Sequence, residues 1–313
     1  MSNRINCLVT VALVVAGLLS VQGCATLPNA KQAMAMQHSK QVRFEGPRGQ
    51  VSAARSEAIL DQLAGNAGAT DLLQKHLAYE QAINAGSPLT LHNKLTLLQN
   101  GPATYQAMFA AIRAAKDHIN LETYIFDDGD AGQKFADLLV ERQAAGVQVN
   151  IIYDSIGALL TPSAFFDRLR ASGIRVLEFN PVNPLVGNKQ AWRLNNRDHR
   201  RQLVVDGRIA FTGGINISNT YSSSPLGRRA RKKSDSPLGA IAGWRDTHIQ
   251  IEGPVVAEFQ KLFIESWARQ KGEPLAAKNY FPNLKPRGDE IVRAIGSTPN
   301  DPQNLIYLTL LSA

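Results

Sequence analysis

Between Leu95 and Phe179 the chain switches repeatedly between strand-like and helix-like hydrophobic patterns, and that rhythm leaves few folds open. Leu95-Thr96-Leu97-Leu98 reads as a strand. Asn100-Gly101-Pro102 then opens a helix reaching about Lys116, because Asn caps free N–H groups and Pro at the first turn gives up none that would be used. Ile119 to Phe126, Val147 to Tyr153 and Ile174 to Phe179 read as further strands. Gln133 to Ala145 and Ser163 to Ala171 read as helices, closed by Gly146 and Gly173. Strands and helices alternating over short connections predict βαβ units. The expected class is α/β, a mixed β-sheet flanked by helices.

Asn180-Pro181-Val182-Asn183-Pro184 breaks the rhythm. Two apolar runs follow, Gln202 to Val205 and Ile209 to Thr212, joined through Asp206-Gly207. That pair is a strong hairpin signal because both residues tolerate positive φ. A long insert from Tyr221 to Gly243 carries Ser-Pro-Leu-Gly twice, at 224–227 and 236–239. Thr247 to Glu252 reads as a strand and Pro254 to Gln270 as an amphipathic helix. Ile291 to Ile295 reads as a strand, and Leu305 to Ala313 as an apolar helix that stops without a cap. Residues 93–272 are thus expected to form one layered unit. Residues 24–92, rich in Ala and Gln, are expected to be a loosely helical tether or cover, and 273–313 a linker with the start of a further, truncated element.

The N-terminus bears on the compartment. Arg4 precedes an uncharged apolar stretch from Leu8 to Val21, followed by Gly23 and Cys24. A positive start, a short apolar segment and a small residue describe a secretory signal over 1–23, too short for a confident membrane span. Val21-Gln22-Gly23-Cys24 resembles the bacterial lipobox, in which the cysteine is acylated. Cys7 would leave with the signal, so the mature chain would hold Cys24 alone and no internal disulfide. Ala25, where Asp would favour the inner membrane in that resemblance, points to an outer-membrane anchor on the periplasmic face.

The net charge of +8 suggests an anionic partner, but Arg228, Arg229, Arg231, Lys232 and Lys233 supply five of those charges. A single basic loop against anionic headgroups fits this better than a broad nucleic-acid face. No Walker loop, HExxH helix, GxSxG elbow or CxxC pair occurs. Asp127, Asp128 and Asp130 crowd together, but Leu139 stands where an EF-hand counted from Asp128 needs Glu. These carboxylates are expected to cap the helix beginning near Ala131 rather than to hold a metal. No cofactor is expected.

The chemistry concentrates in Asp198-His199-Arg200-Arg201-Gln202-Leu203-Val204-Val205-Asp206 and, beyond the hairpin, Gly213-Gly214-Ile215-Asn216. Alternation along a strand puts His199 and Arg201 on one face and Asp206 on the other. An imidazole can act as nucleophile or acid/base near neutral pH, and a guanidinium can grip two phosphate oxygens. Asn216, just past the glycines, could donate its amide to the same oxygens. By itself, His-x-Arg is better read as a satisfied histidine at a strand edge beside exposed arginines.

The longer pattern H-x-R-x4-D-x6-G-G-x-N resembles the signature of the phospholipase D superfamily, H-x-K-x4-D-x6-G-[GS]-x-N. Its surroundings resemble bacterial cardiolipin synthases: Asn195-Asn196-Arg197 before the site, Phe211-Thr212-Gly213-Gly214 after it, and Trp244-Arg245-Asp246-Thr247-His248 beyond the insert. Glu122-Thr123-Tyr124 and Tyr153-Asp154-Ser155-Ile156-Gly157 match the same subgroup. The resemblance covers about residues 93 to 272 and implies a phospholipase D-like half. It implies that His199 attacks phosphorus to form a phosphohistidine, with Arg201 in place of the motif lysine and Asp206 in a supporting role. Asn216 and Gly214 would border the substrate. Asp246 would either orient the imidazole of an opposite half or pair with Arg245. A second histidine motif is absent from the sequence, so the complete site would need a missing C-terminal half or a dimer partner. The implied reaction is phosphatidyl transfer between phospholipids on a membrane. Lipid phosphodiester hydrolysis and a catalytically silent lipid-binding remnant are the alternatives.

Overall fold

The computed structural model describes residues 42–67, 76–78, 80–81, 87–181, 197–222, 244–298, 306 and 309–310. The signal segment, Cys24, the basic run at 228–233 and most of the apolar C-terminal segment lie outside the described residues.

The strands are β1 (Phe44–Gly46), β2 (Gly49–Gln50), β3 (Leu89–Leu98), β4 (His118–Thr123), β5 (Gln148–Asp154), β6 (Arg175–Phe179), β7 (Gln202–Val205), β8 (Ile209–Gly213), β9 (His248–Glu252) and β10 (Glu290–Val292). The main helices are α1 (Ala53–Ala67), α2 (Gly101–Ala114), α3 (Asp130–Ala144), α4 (Ser163–Ala171) and α5 (Val256–Arg269). One sheet runs β2-β1-β3-β9-β8-β7-β4-β5-β6, with β10 also paired to β3. Pairs β4–β5 and β5–β6 are parallel, as crossovers through α3 and α4 require, whereas β4–β7, β7–β8, β8–β9 and β3–β9 are antiparallel. The mixed sheet expected from the hydrophobic rhythm is therefore present.

Alternation along the central strands sorts two cores. Leu203 and Val205 join Ile119, Leu121, Val149 and Ile151 under Tyr105, Met108 and Ile112 of α2, Phe135 and Leu139 of α3, and Phe165 and Phe166 of α4. Val204, Ala210 and Ile251 face the other way and meet Val256 and Phe259 of α5. The sheet is thus a middle layer between α2–α4 and α5.

The stretch before Leu95 differs in part from its reading as loosely helical. It contains α1, but also β1, β2 and the first half of β3, and Val42, Phe44, Leu60, Leu89 and Leu91 are buried together. The strand expected from Leu95 starts at Leu89 and passes through His92 at φ 65°. Asn93 holds that irregular point. Its amide donates to the carbonyls of Thr90 and Glu290, and its Oδ1 accepts from Val255 N–H. The acidic cluster also acts differently from its reading as a cap. Asp127 Oδ1 accepts from Gly129 N–H, but the free N–H of Ala131 is taken by Asn219 Oδ1 across the fold. The 3₁₀ turn at Asn219–Tyr221, which follows the glycine pair, places that amide where the helix begins.

Candidate active site

The strand order brings six chain ends to one edge of the sheet. The C-terminal ends of β3, β4, β5 and β8 meet the N-terminal ends of β7 and β9 there. His199 lies at this edge, three residues ahead of β7, and its side chain is exposed. Its imidazole stacks on Tyr124, with ring centroids 4.1 Å apart at 21°. The Arg201 guanidinium carbon lies 5.8 Å from the centroid of the same ring, so one tyrosine contacts both groups.

Arg201 is held firmly. Its Nε donates to Asn216 Oδ1 at 2.8 Å and its Nη1 to the His199 carbonyl at 2.7 Å. Asn216 is itself anchored: Oδ1 also accepts from Ile125 N–H, and Nδ2 donates to Tyr221 Oη. Tyr105 Oη bridges the carbonyls of Asn216 and Ser218. The amide that the sequence reading offers to phosphate oxygens thus reaches the site through Arg201.

Alternation predicts that Arg200 and Gln202 turn away from His199, and they do. Arg200 forms a fork with Asp198, Nε to Oδ1 at 3.0 Å and Nη2 to Oδ2 at 2.9 Å, and also reaches Ser266 and Glu122. Gln202 Nε2 donates to Glu122 Oε2, and Ser266 Oγ to Oε1, both at 2.5 Å. Burial, reinforced by the charge of Asp198, pushes the Glu122 carboxyl well above the usual range and favours its neutral form. Burial also opposes ionisation of Asp198, but its hydrogen bonds to Glu122 and Arg200 outweigh this and hold its pKa low. Asp154 completes the frame by accepting from Asp198 N–H. One face of residues 198–202 is therefore anchored under α5, which presents His199 and Arg201 from the other.

Gly214 and Asp246 come together. A Cβ on Gly214 would lie 2.1 Å from Asp246 Oδ2, so only glycine lets that carboxylate rest on the loop backbone. Among the described residues Asp246 accepts one hydrogen bond, from Thr247 N–H, and makes no ion pair with Arg245.

Asp206 is not brought to His199. It lies at the opposite end of β7, about 20 Å along the strand at roughly 3.3 Å per residue. With Asp206 at φ 51° and Gly207 at φ 60°, the turn has the expected left-handed pair. The Asp206 carboxylate accepts from the N–H groups of Lys116, Asp117 and His118, tying the hairpin to the start of β4. Asp206→Ala is expected to lose about 2–4 kcal/mol of stability, from several charge-assisted bonds and a strained φ. Asp206→Asn, which tolerates the φ, should lose less than half of that. Urea denaturation compares the two, and equal losses would contradict the capping role.

In the sequence His248 stands out only as part of a matching segment. It sits beneath Arg201, buried, with neither ring nitrogen hydrogen-bonded among the described residues. Burial first, then the Arg201 charge, pulls it down to about 3. Unfolded, it would titrate near 6.5. Its contribution is therefore full above about pH 6.5 and is lost as pH falls towards 3. Stability should drop by up to about 1.4 kcal/mol per pH unit through that window. His248→Phe should flatten the slope of unfolding free energy between pH 6.5 and 5, and an unchanged slope would exclude this assignment.

The match to known proteins falls on these residues. A family model described as cardiolipin synthase, phospholipase D-like domain, matches residues 108–224, which hold His199, Arg201, Asp206 and Asn216. Residues 108–224 carry a phospholipase D-like domain. It is 33% identical over 234 residues to a cardiolipin synthase of Geobacillus thermodenitrificans, covering 74% of this chain and 43% of that one. It is 34% identical over 232 residues to cardiolipin synthase A of Pseudomonas putida, covering 72% and 43%. The chain thus spans less than half the length of these curated relatives. Among solved structures, the phospholipase D family member Nuc of Salmonella typhimurium aligns over 56% of this chain and 95% of its own, at 18% identity and a TM-score of 0.39. In this phospholipase D-like domain the residues that sequence spacing missed are Tyr124 and the Glu122–Arg200–Asp198 cluster. Tyr124 lies just past the last residue of β4, where alternation no longer predicts direction.

Proposed function

We propose that the protein transfers a phosphatidyl group between phospholipids, through a phosphohistidine intermediate on His199, at a bacterial envelope membrane. The observation that carries this reading is the exposed His199 imidazole stacked on Tyr124 beside a guanidinium that Asn216 holds in place. Arg201 Nη2 makes no hydrogen bond among the described residues and is available to an incoming phosphate oxygen. In the first step an imidazole nitrogen forms a bond to phosphorus while the bond from phosphorus to the leaving alcohol oxygen breaks. The alcohol takes a proton from an acid on the far side. In the second step an acceptor hydroxyl attacks phosphorus, the P–N bond breaks, and the hydroxyl proton returns to that acid group. A lipid hydroxyl as acceptor gives transfer, and water gives hydrolysis.

The acid group belongs to a second half, either further chain or a second copy, which agrees with the span of less than half of the relatives. Asp246, resting on Gly214 at the same edge, would orient the imidazole of that half. Asn216 acts here by positioning Arg201, and Asp206 by holding the hairpin. The membrane setting rests on the segment before Cys24, with acylation at Cys24, a periplasmic face and an outer-membrane anchor as its finer terms. No helix among the described residues is long and apolar enough to cross a membrane. Concentration of the excess charge in residues 228–233 favours lipid headgroups over nucleic acid.

The test is to capture the intermediate on the native protein with a glycerophospholipid labelled at phosphorus. A protein-bound label that survives base and is lost in acid is expected. Lipid turnover with no such label would rule out the covalent route. Labelled products distinguish transfer, which yields a larger phospholipid, from hydrolysis, which yields phosphatidate.

A further inference from the structure

We propose that Leu159 and Leu160 form a lip that enters the acyl-chain layer of a phospholipid bilayer and seats the site against its substrate. This rests on the phospholipid reading above and adds the surface by which the lipid is met.

Leu159 is 68% exposed and Leu160 96%, the most exposed large apolar side chain among the described residues. Such exposure is unfavourable in water and more so for two adjacent leucines. The loop carrying them is tightly built. Asp154 Oδ1 accepts from the N–H groups of Ile156 and Gly157. Leu159 N–H bonds to the Ile156 carbonyl, Thr161 N–H to that of Ala158, and Thr161 Oγ1 to that of Phe126. The leucines are therefore held outward by a fixed turn.

The turn belongs to the catalytic edge. It follows β5 at the end of the sheet where His199 lies, and a Cβ on Gly157 would come within 2.0 Å of the Tyr124 carbonyl oxygen. Tyr124 carries the His199 ring. Asp154 joins the two directly: Oδ1 shapes the leucine turn while Oδ2 accepts from Asp198 N–H, one residue before His199. On the other flank Trp244, 51% exposed, packs against Tyr221, the partner of Asn216. An exposed aromatic on one side and two exposed leucines on the other, with His199 between them, suit a membrane–water interface. A phosphodiester lies at that depth, and its acyl chains lie just below.

An indole placed at the lip reports its depth. Leu160→Trp is made in the full chain and compared with Phe281→Trp, which replaces a half-exposed aromatic at the opposite end of the sheet beside the Gly207 turn. The probe is vesicles of phosphatidylethanolamine and phosphatidylglycerol with brominated acyl chains. The emission that Leu160→Trp adds to the parent spectrum should shift to the blue and fall to roughly half or less, as for an interfacially buried side chain. The emission added by Phe281→Trp should not change. Added emission at position 160 that is unquenched, or quenched no more than at 281, would overturn the lip. Because the readout is local, membrane attachment through the N-terminal segment does not mimic it. Combining His199→Ala with Leu160→Trp should leave the quenching as it is with His199 in place. Loss of the lip signal therefore leaves the catalytic reading standing, and turnover indifferent to His199 overturns that reading without touching the lip.

Discussion

His199→Gln is expected to lower phosphatidyl turnover by at least ~10³-fold, the scale on which removal of a covalent nucleophile acts. The protein should remain folded. The His199 side chain is exposed, and its ring contact among the described residues is the stack on Tyr124, worth about 0.5–1.5 kcal/mol. Turnover and stability should therefore separate cleanly. The measurement is a rate on the native protein, made alongside a urea melt and the acid-labile phosphorus label. Loss of turnover and label with an almost unchanged melt is the expected result. A variant that retains turnover would remove His199 from the chemistry. Glutamine is the stricter substitution, because its amide keeps a planar polar group near Tyr124 but cannot form a stable bond to phosphorus.

The parts of this molecule that the sequence discloses are those governed by neighbours along the chain. Asn100 accepts the N–H of Ala103 as a cap should, and α4 occupies Ser163–Ala171 as read, because caps and hydrophobic period are local. The division of His199 and Arg201 from Arg200 and Gln202 is also local, since a pleated strand allows two faces. What these faces meet is not local. Arg200 finds Ser266, and Asn93 finds Val255, across long stretches of chain. A sheet order that interleaves early and late strands makes such partners unreadable from spacing. The motif itself conceals a second division. Asp206 and Asn216 lie in one contiguous pattern with His199, yet Asn216 holds Arg201 while Asp206 holds a turn at the far end of β7. Residues that recur together can thus serve different ends of a strand: one supports the reacting groups, and the other fixes the hairpin from which they extend.

Arg200→Met should cost about 3–5 kcal/mol, the loss typical when one partner of a buried ion pair is removed. Arg200 is the cation between two buried carboxyl groups, and its fork on Asp198 is what offsets the burial of that charge. Without it, Asp198 retains the backbone N–H of residue 200 but no counter-charge within the fork. The cost should depend on pH, with a sign that follows from proton binding. Removing the cation raises the folded-state affinity of Asp198 and Glu122 for protons, while the unfolded chain still releases them near pH 4. The folded variant then binds more protons than the unfolded one, so its stability falls as pH rises through neutrality. Urea denaturation should show a wider gap between variant and parent at pH 7 than at pH 4.5. Glu122→Gln is the matching control: burial favours the neutral carboxyl, so an amide in its place should cost less than about 1.5 kcal/mol. A large loss in Glu122→Gln would mean that Glu122 is ionised in the folded protein, and a pH-independent gap in Arg200→Met would mean that Arg200 does not set the proton affinities of the two carboxyl groups. Because the same cluster anchors the back of residues 198–202, the Arg200 variant should also lose turnover without touching the reacting atoms. Arg200→Lys should recover part of the stability but less of the turnover, since an ammonium cannot reproduce the planar fork that fixes the strand's direction.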